Sequence, residues 1–168
     1  GDEVNPTYKD VSSGFTNHLE AIQITYDPSI ISYELLLNTF WHQINPTDAG
    51  GQFVDRGNQY SSAIFYHTEE QKELAEASKK ALEKSGKYNA PIVTPILPAK
   101  EFYVAEEYHQ DYHTKNPIRY KAYRYASGRD KYLKSVWGDE IIQNLQDVVS
   151  KPSDEELKKT LTPMQYEV

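Results

Sequence analysis

A two-layer α+β domain is the fold class this sequence predicts, and three features predict it. Short strand-like stretches alternate with helix-like ones. No long apolar run of the kind a buried parallel sheet needs is present. The chain has 168 residues, enough for one domain with a real core and a short appendage. Hydrophobic residues make up 38% and charged residues 26%, the balance of a soluble globular protein. The net charge of −7 argues against a partner bound through its phosphate backbone, which calls for a basic face. No apolar stretch approaches the roughly 20 residues that span a bilayer. With 0 Cys there is no disulfide framework, no thiolate metal site and no thiol nucleophile in these residues. Cysteine usage therefore says nothing about compartment. The cytoplasm is the expected location, with a secreted or periplasmic one as the alternative, because the chain opens at Gly1 without a Met.

The elements follow in order. Residues 1–17 read as loop and turn, punctuated by Pro6 and Gly14. His18 to Tyr26 reads as a strand with His18, Glu20, Ile22, Ile24 and Tyr26 on one face and Leu19, Ala21, Gln23 and Thr25 on the other. Asp27-Pro28 ends it. Ser32 caps a helix running to about Trp41, with Leu36, Phe40 and their neighbours on the apolar side. Residues 42–58 form a polar loop containing Gly50, Gly51 and Gly57, long enough to be a site element. Tyr60 to Tyr66 reads as a second strand. Thr68 and Gln71 form a capping-box pair for a helix whose stripe is Leu74, Ala75, Ser78, Ala81 and Leu82, ended by Gly86. Residues 91–98, bounded by prolines and β-branched, suit an edge strand. Phe102 to Lys115 reads as partly helical, stopping at Asn116-Pro117. Residues 129–137 and 139–149 suit two short helices, and Lys151-Pro152 marks a boundary.

Glu20 is the sharpest chemical signal. If its strand face packs on the core, desolvation raises the acid's pKa, and a neutral acid could donate a proton to a developing oxyanion. On the strand pattern alone, a solvent-facing glutamate or one paired with His18 is the plainer reading. Tyr8, Tyr60 and Tyr112 could supply hydroxyl donors around a polar oxygen. Among 14 Tyr, however, most are half-buried packing residues with a wet tip. Asp55, just ahead of Tyr60, suits a turn residue bonded to its own backbone. His109 and His113 stand four apart and on a helix would share a face. The zinc-protease pattern needs Glu where this chain has Gln110, and no third ligand is evident. Arg119, Arg124 and Arg129 alternate with Tyr120, Tyr123 and Tyr125; at this net charge a solvated face tied to nearby acids fits better than a nucleic-acid surface.

Taken together, these segments exceed any single motif. Asn5-Pro6-Thr7-Tyr8, Gly14, His18-Leu19-Glu20 and Tyr26-Asp27-Pro28 resemble the A class of peptide methionine sulfoxide reductases. So do Phe40-Trp41, Asn45-Pro46-Thr47, and the run from Asp55 through Tyr60 to Ile64. The likeness continues through Ala105-Glu106-Glu107-Tyr108-His109-Gln110-Asp111-Tyr112, Lys115-Asn116-Pro117, Ser127-Gly128-Arg129-Asp130 and Val136-Trp137-Gly138. The tail, Lys151 to Leu157 and Leu161 to Val168, resembles the opening of a B-class domain, as in fusions of both classes. The division expected is a reductase A domain over 1–149, then a linker and B-class start over 150–168.

The resemblance implies a two-layer α/β sandwich, with a ferredoxin-like mixed sheet and flanking helices, that reduces the S epimer of methionine sulfoxide, free or in proteins. It implies Glu20 as the acid that protonates the sulfoxide oxygen, assisted by Tyr8 and Tyr60. Asp55, His109 and Tyr112 are implied to line the substrate pocket. No cofactor or metal is implied; the reductant is thioredoxin or a small dithiol. The family's nucleophile sits in a Gly-Cys-Phe-Trp motif upstream of the Asn-Pro-Thr-Tyr segment. That motif is not in this sequence, and the region after Asn116-Pro117, Ile118 to Ala122, carries no resolving Cys. The expectation is that these residues alone are inactive and that the upstream segment restores activity. A non-catalytic module binding oxidised methionine is the alternative from another class. A zinc hydrolase on His109 and His113 is a further one.

Overall fold

The structure, a computed structural model, describes residues 1–138 and 140. Apart from residue 140, the expected 139–149 helix lies outside the described residues, as do the boundary at Lys151-Pro152 and the B-class-like tail. The helices are α1 (Tyr8–Ser12), α2 (Tyr33–Trp41), α3 (Glu69–Lys84), α4 (Tyr112–Lys115), α5 (Pro117–Ala126) and α6 (Arg129–Trp137). The strands are β1 (Gly51–Gln52), β2 (Asp55–Arg56), β3 (Ile64–Tyr66) and β4 (Ile96–Pro98), with 3-10 turns at Asn58–Tyr60 and Glu107–His109.

This is an α/β chain, and its centre is a β3–α3–β4 unit. β3 and β4 pair in parallel, Ile64 opposite Ile96, Phe65 opposite Leu97 and Tyr66 opposite Pro98. Parallel neighbours need a crossover, and α3 supplies it. The Gln71 N–H donates to the Thr68 hydroxyl at 3.2 Å, while the Gln71 side chain reaches back to the His67 N–H at 2.8 Å, one residue earlier than a capping box places it. Ser32 caps α2 through the Leu35 N–H, as its position predicts. The core gathers Leu37 and Trp41 of α2, Ala75 and Leu82 of α3, Leu133 and Trp137 of α6, with Ile44, Ile64 and Ile92. The face of α2 that goes deepest is Leu37 and Trp41, one position on from Leu36 and Phe40. The Trp41 indole N–H donates to the Ser78 hydroxyl at 3.0 Å, so the polar edge of the ring is satisfied within the α2–α3 contact.

Several expected elements are shorter or different. His18 to Tyr26 does not form a strand. Its one backbone–backbone bond before Asp27, among the described residues, runs from the Glu20 N–H to the Gln59 carbonyl at 2.8 Å. A period-2 pattern without a ladder of partners does not make a strand. Ile22 and Ile24, supposed to share a core face with Glu20, are 83% and 54% exposed. The second strand keeps only Ile64–Tyr66, since Asn58–Tyr60 curls into a 3-10 turn. Of residues 91–98 only the last three pair; Val93 bonds the Pro46 carbonyl and Thr94 is buried against Ser62.

Two helices were not read from the sequence. α5 starts with Pro117 as its first residue, a position where a missing N–H is no loss. α1 rests on Thr7, whose hydroxyl accepts from the Asp10 N–H at 3.3 Å while the Asp10 carboxylate takes the Thr7 N–H at 2.9 Å. That is a capping box with Asp in place of the usual Glu or Gln. A helix of 5 residues leans heavily on its cap. Thr7→Ala is expected to cost about 1 kcal/mol locally, read as faster amide exchange across Tyr8–Ser12. Unchanged exchange would mean that other contacts hold this turn.

Candidate active site

Three separate segments meet around Glu20, Tyr60 and His109. The 51–60 loop comes first. β1 and β2 form a two-residue hairpin, Gln52 opposite Asp55, with Phe53 in the left-handed region at φ 55°. Gly51 opens it at φ 132°, where a Cβ would collide with the Asp55 carbonyl, so only glycine suits that position. The 3-10 turn after β2 brings Tyr60 up, and the Gln59 carbonyl takes the Glu20 N–H. α1 comes second. The Tyr8 N–H donates to the Glu106 carboxylate at 3.2 Å, and the Tyr8 ring lies 4.5 Å from the His109 ring and 6.3 Å from Tyr108. The 3-10 turn carrying His109 is the third. The imidazole Nε2 of His109 is shut off from solvent and has no hydrogen-bond partner among the described residues.

The electrostatics tie these residues together. Partial burial pushes the Glu20 carboxyl up; the neighbouring His109 opposes this and the charge of Asp55 adds to it. Glu20 is exposed when the whole residue is counted, so what is desolvated is its carboxyl end. Burial likewise raises the Tyr60 phenol, with Glu20, Tyr8 and Asp55 adding to the effect. Glu20 thus lies within electrostatic reach of Asp55, His109 and Tyr60, and Tyr8 joins the group through Tyr60 and the His109 ring. The setting differs from the strand-face expectation: Ile22 and Ile24 are exposed rather than packed on a shared core face, and the charged groups that act on the acid are His109 and Asp55. His18 is not its partner either; the His18 imidazole bonds the Glu3 carbonyl at 2.9 Å and packs against the Tyr103 ring.

Asp55 is no mere turn residue, since it accepts a hydrogen bond from the Tyr123 hydroxyl. Tyr112 is half-buried at the start of α4, and no hydrogen bond or ring contact joins it to Glu20 or Tyr60. The helix that would have put His109 and His113 on one face is broken. Asp111, at φ 53°, separates the 3-10 turn of His109 from α4, and His113 is exposed beside Thr114 and Tyr120. The geometry required by the zinc-hydrolase reading is therefore not formed. A shallow cavity lined by Leu19, Asp48, Asn58 and Ser61 lies alongside and contains none of the reaction candidates. Among the described residues no helix is long and apolar enough to cross a membrane.

Sequence reading missed Tyr123 and Arg129. Arg124 does pair with Asp130 at 2.7 Å, as a solvated face would. Arg129 instead donates to the Gln43 carbonyl at 2.7 Å and lies 4.6 Å above the Phe53 ring. The signal available was Pro117 at a helix start, which places Tyr120, Tyr123 and Arg124 on one side of α5.

An acid whose carboxyl is pushed toward its neutral form, with phenols nearby, is chemically able to donate a proton to a polar oxygen. Residues 1–141 match the family model described as peptide methionine sulfoxide reductase, and the chain belongs to that family. It is 56% identical over 138 residues to the peptide methionine sulfoxide reductase MsrA of Bacillus licheniformis, covering 82% of this chain and 76% of that protein. It is 46% identical over 185 aligned positions to the MsrA/MsrB protein of Vibrio cholerae, covering 100% of this chain and 48% of that one. Among solved structures it resembles Mxr1 from Saccharomyces cerevisiae in reduced form, with a TM-score of 0.60 and 41% identity over 67% of this chain and 61% of that chain. This chain thus spans less than two thirds of that yeast protein and about half of the fusion relative.

Proposed function

We propose that this chain forms the acid half of a peptide-methionine (S)-S-oxide reductase, with Glu20 as the proton donor. The observation that carries the reading is a Glu20 carboxyl raised above the usual glutamate range with Asp55, His109 and Tyr60 around it, and with Tyr8 beside Tyr60 and His109. A sulfoxide sulfur resists nucleophiles until its oxygen is protonated or strongly hydrogen-bonded. Glu20 gives that proton, and the Tyr8 and Tyr60 hydroxyls stabilise the oxygen as charge shifts onto it. A thiolate attacks sulfur, the sulfur–oxygen bond breaks, and oxygen ends on the cysteine as a sulfenic acid carrying the donated proton. Methionine sulfur is reduced by two electrons and cysteine sulfur oxidised by two. A dithiol, thioredoxin or a small molecule, then returns the sulfenic acid to thiol with release of water. Asp55, His109 and Tyr112 border the pocket in this reading.

The sequence has 0 Cys, so the nucleophile comes from outside these 168 residues. The domain reading is an A-class domain over 1–149, followed by a linker and the opening of a B-class domain over 150–168. Alignment of the whole chain to the Vibrio cholerae fusion protein supports it, because the family model ends at residue 141.

The test uses the chain extended upstream through a Gly-Cys-Phe-Trp segment, with a dithiol as reductant. The expected result is reduction of the S epimer of a methionine sulfoxide peptide, no reduction of the R epimer, and none of either without the segment. Failure to reduce the S epimer by a folded, thiol-bearing protein would overturn the reading.

A further inference from the structure

The α5–α6 pair carries a phenol and a guanidinium that the proposed reaction leaves unused. We propose that Tyr123 and Arg129 are positioning residues that keep the negative charge of a carboxylate pair on Asp55, so that the proton stays on Glu20. This rests on Glu20 being the proton donor.

Two contacts fix the arrangement. From α5, the Tyr123 hydroxyl donates to an Asp55 carboxylate oxygen. From α6, Arg129 covers the Phe53 ring at 4.6 Å, with the Tyr132 ring at 5.5 Å from the same phenylalanine. Phe53 is a bulky residue in the left-handed region, two positions before Asp55, and such a conformation persists only where its surroundings hold it. The bond from Arg129 to the Gln43 carbonyl anchors the guanidinium itself. The hairpin is therefore clamped from one helix and its carboxylate tied down from the other.

The charged and titratable groups facing Asp55 are Tyr123 from α5, Arg129 from α6, Tyr60 from the 3-10 turn, and Glu20. Those facing Glu20 are His109 and Asp55, with Tyr60 beside it. Burial, then the bond to Asp55, pushes the Tyr123 phenol up to about 12, so it remains a donor at neutral pH. Burial draws Arg129 down, but a guanidinium keeps its charge throughout the physiological range. Two carboxylates in mutual reach disfavour double ionisation, and the proton goes to the one with fewer donors. Tyr123 supplies a donor to Asp55 and Arg129 adds positive charge within its reach, and neither acts on Glu20 among the described residues.

The experiment is a 13C carboxyl NMR titration of Glu20 in this chain and in Tyr123→Phe, which keeps the ring and removes the hydroxyl. The midpoint of Glu20 is expected to fall by about half a pH unit in Tyr123→Phe, and to stop responding to that substitution once Asp55→Asn is present. Arg129→Gln should lower it as well, while Arg129→Lys, which keeps the charge, should lower it less; this pair gives a second test with an amide spectrum as the fold control. A Glu20 midpoint that is raised in the unsubstituted chain but unmoved by Tyr123→Phe and Arg129→Gln overturns the inference and leaves the donor role standing. A midpoint in the ordinary glutamate range to begin with overturns the donor role and the inference with it.

Discussion

Glu20→Gln, made in a protein that carries the upstream cysteine, is expected to lower turnover by about 10²–10⁴-fold, the range for loss of a positioned general acid. Glutamine keeps the size and a weak donor but has no proton to give. The fold should survive, because Glu20 is exposed as a residue and its side chain takes no hydrogen bond among the described residues. Among the described residues its one hydrogen bond runs from the backbone N–H to Gln59, which the substitution does not touch. Wild-type turnover in a folded Glu20→Gln protein would remove Glu20 from the reaction. The pH dependence has a definite sign. The carboxyl is raised above the ordinary glutamate value, so the donor form is present below that raised value and is lost as pH climbs through it.

Trp41→Ala should have the largest effect on stability, about 3–5 kcal/mol. Trp41 is 3% exposed and joins α2 to α3. Its removal leaves a cavity that Leu37 and Ala75 cannot fill, and it strips the Ser78 hydroxyl of its indole donor. Ser78 keeps its own bond to the Ala75 carbonyl at 2.8 Å, so the loss is dominated by the cavity rather than by an orphaned hydroxyl. Urea unfolding followed by circular dichroism measures it. A loss under about 1 kcal/mol would mean the core collapses around the gap, and that the α2–α3 contact is looser than its burial suggests.

Much of the fold was legible because local signals agreed with tertiary needs. Ser32 and Thr68 are caps, and the α3 stripe of Ala75 and Leu82 is buried where its spacing puts it. α6 also lies where its pattern places it. The strand over His18–Tyr26 failed for a physical reason: alternation names two faces, but a strand also needs a neighbour to bond, and among the described residues this segment's backbone finds Gln59 alone. α1 escaped notice because Asp10 does the work of the longer acid in a capping box. Pro117 was read as a stop and is also a start. At the site, Glu20, Tyr8, Tyr60 and Asp55 could be named from the sequence. What could not be read was which groups would act on Glu20, because Asp55, Tyr60 and His109 lie 35 and more positions further along the chain. The Tyr123–Asp55 contact, 68 positions apart, left no local trace at all.

The account turns on one proton, and the single-turnover rate of methionine formation across pH tests it most directly. With the cysteine-bearing protein and an S-sulfoxide peptide, the rate should fall on the alkaline side as Glu20 ionises. That limb should vanish in Glu20→Gln, leaving a low rate without it. An alkaline limb of the same position and height in Glu20→Gln would contradict the account, because the proton would then come from another group.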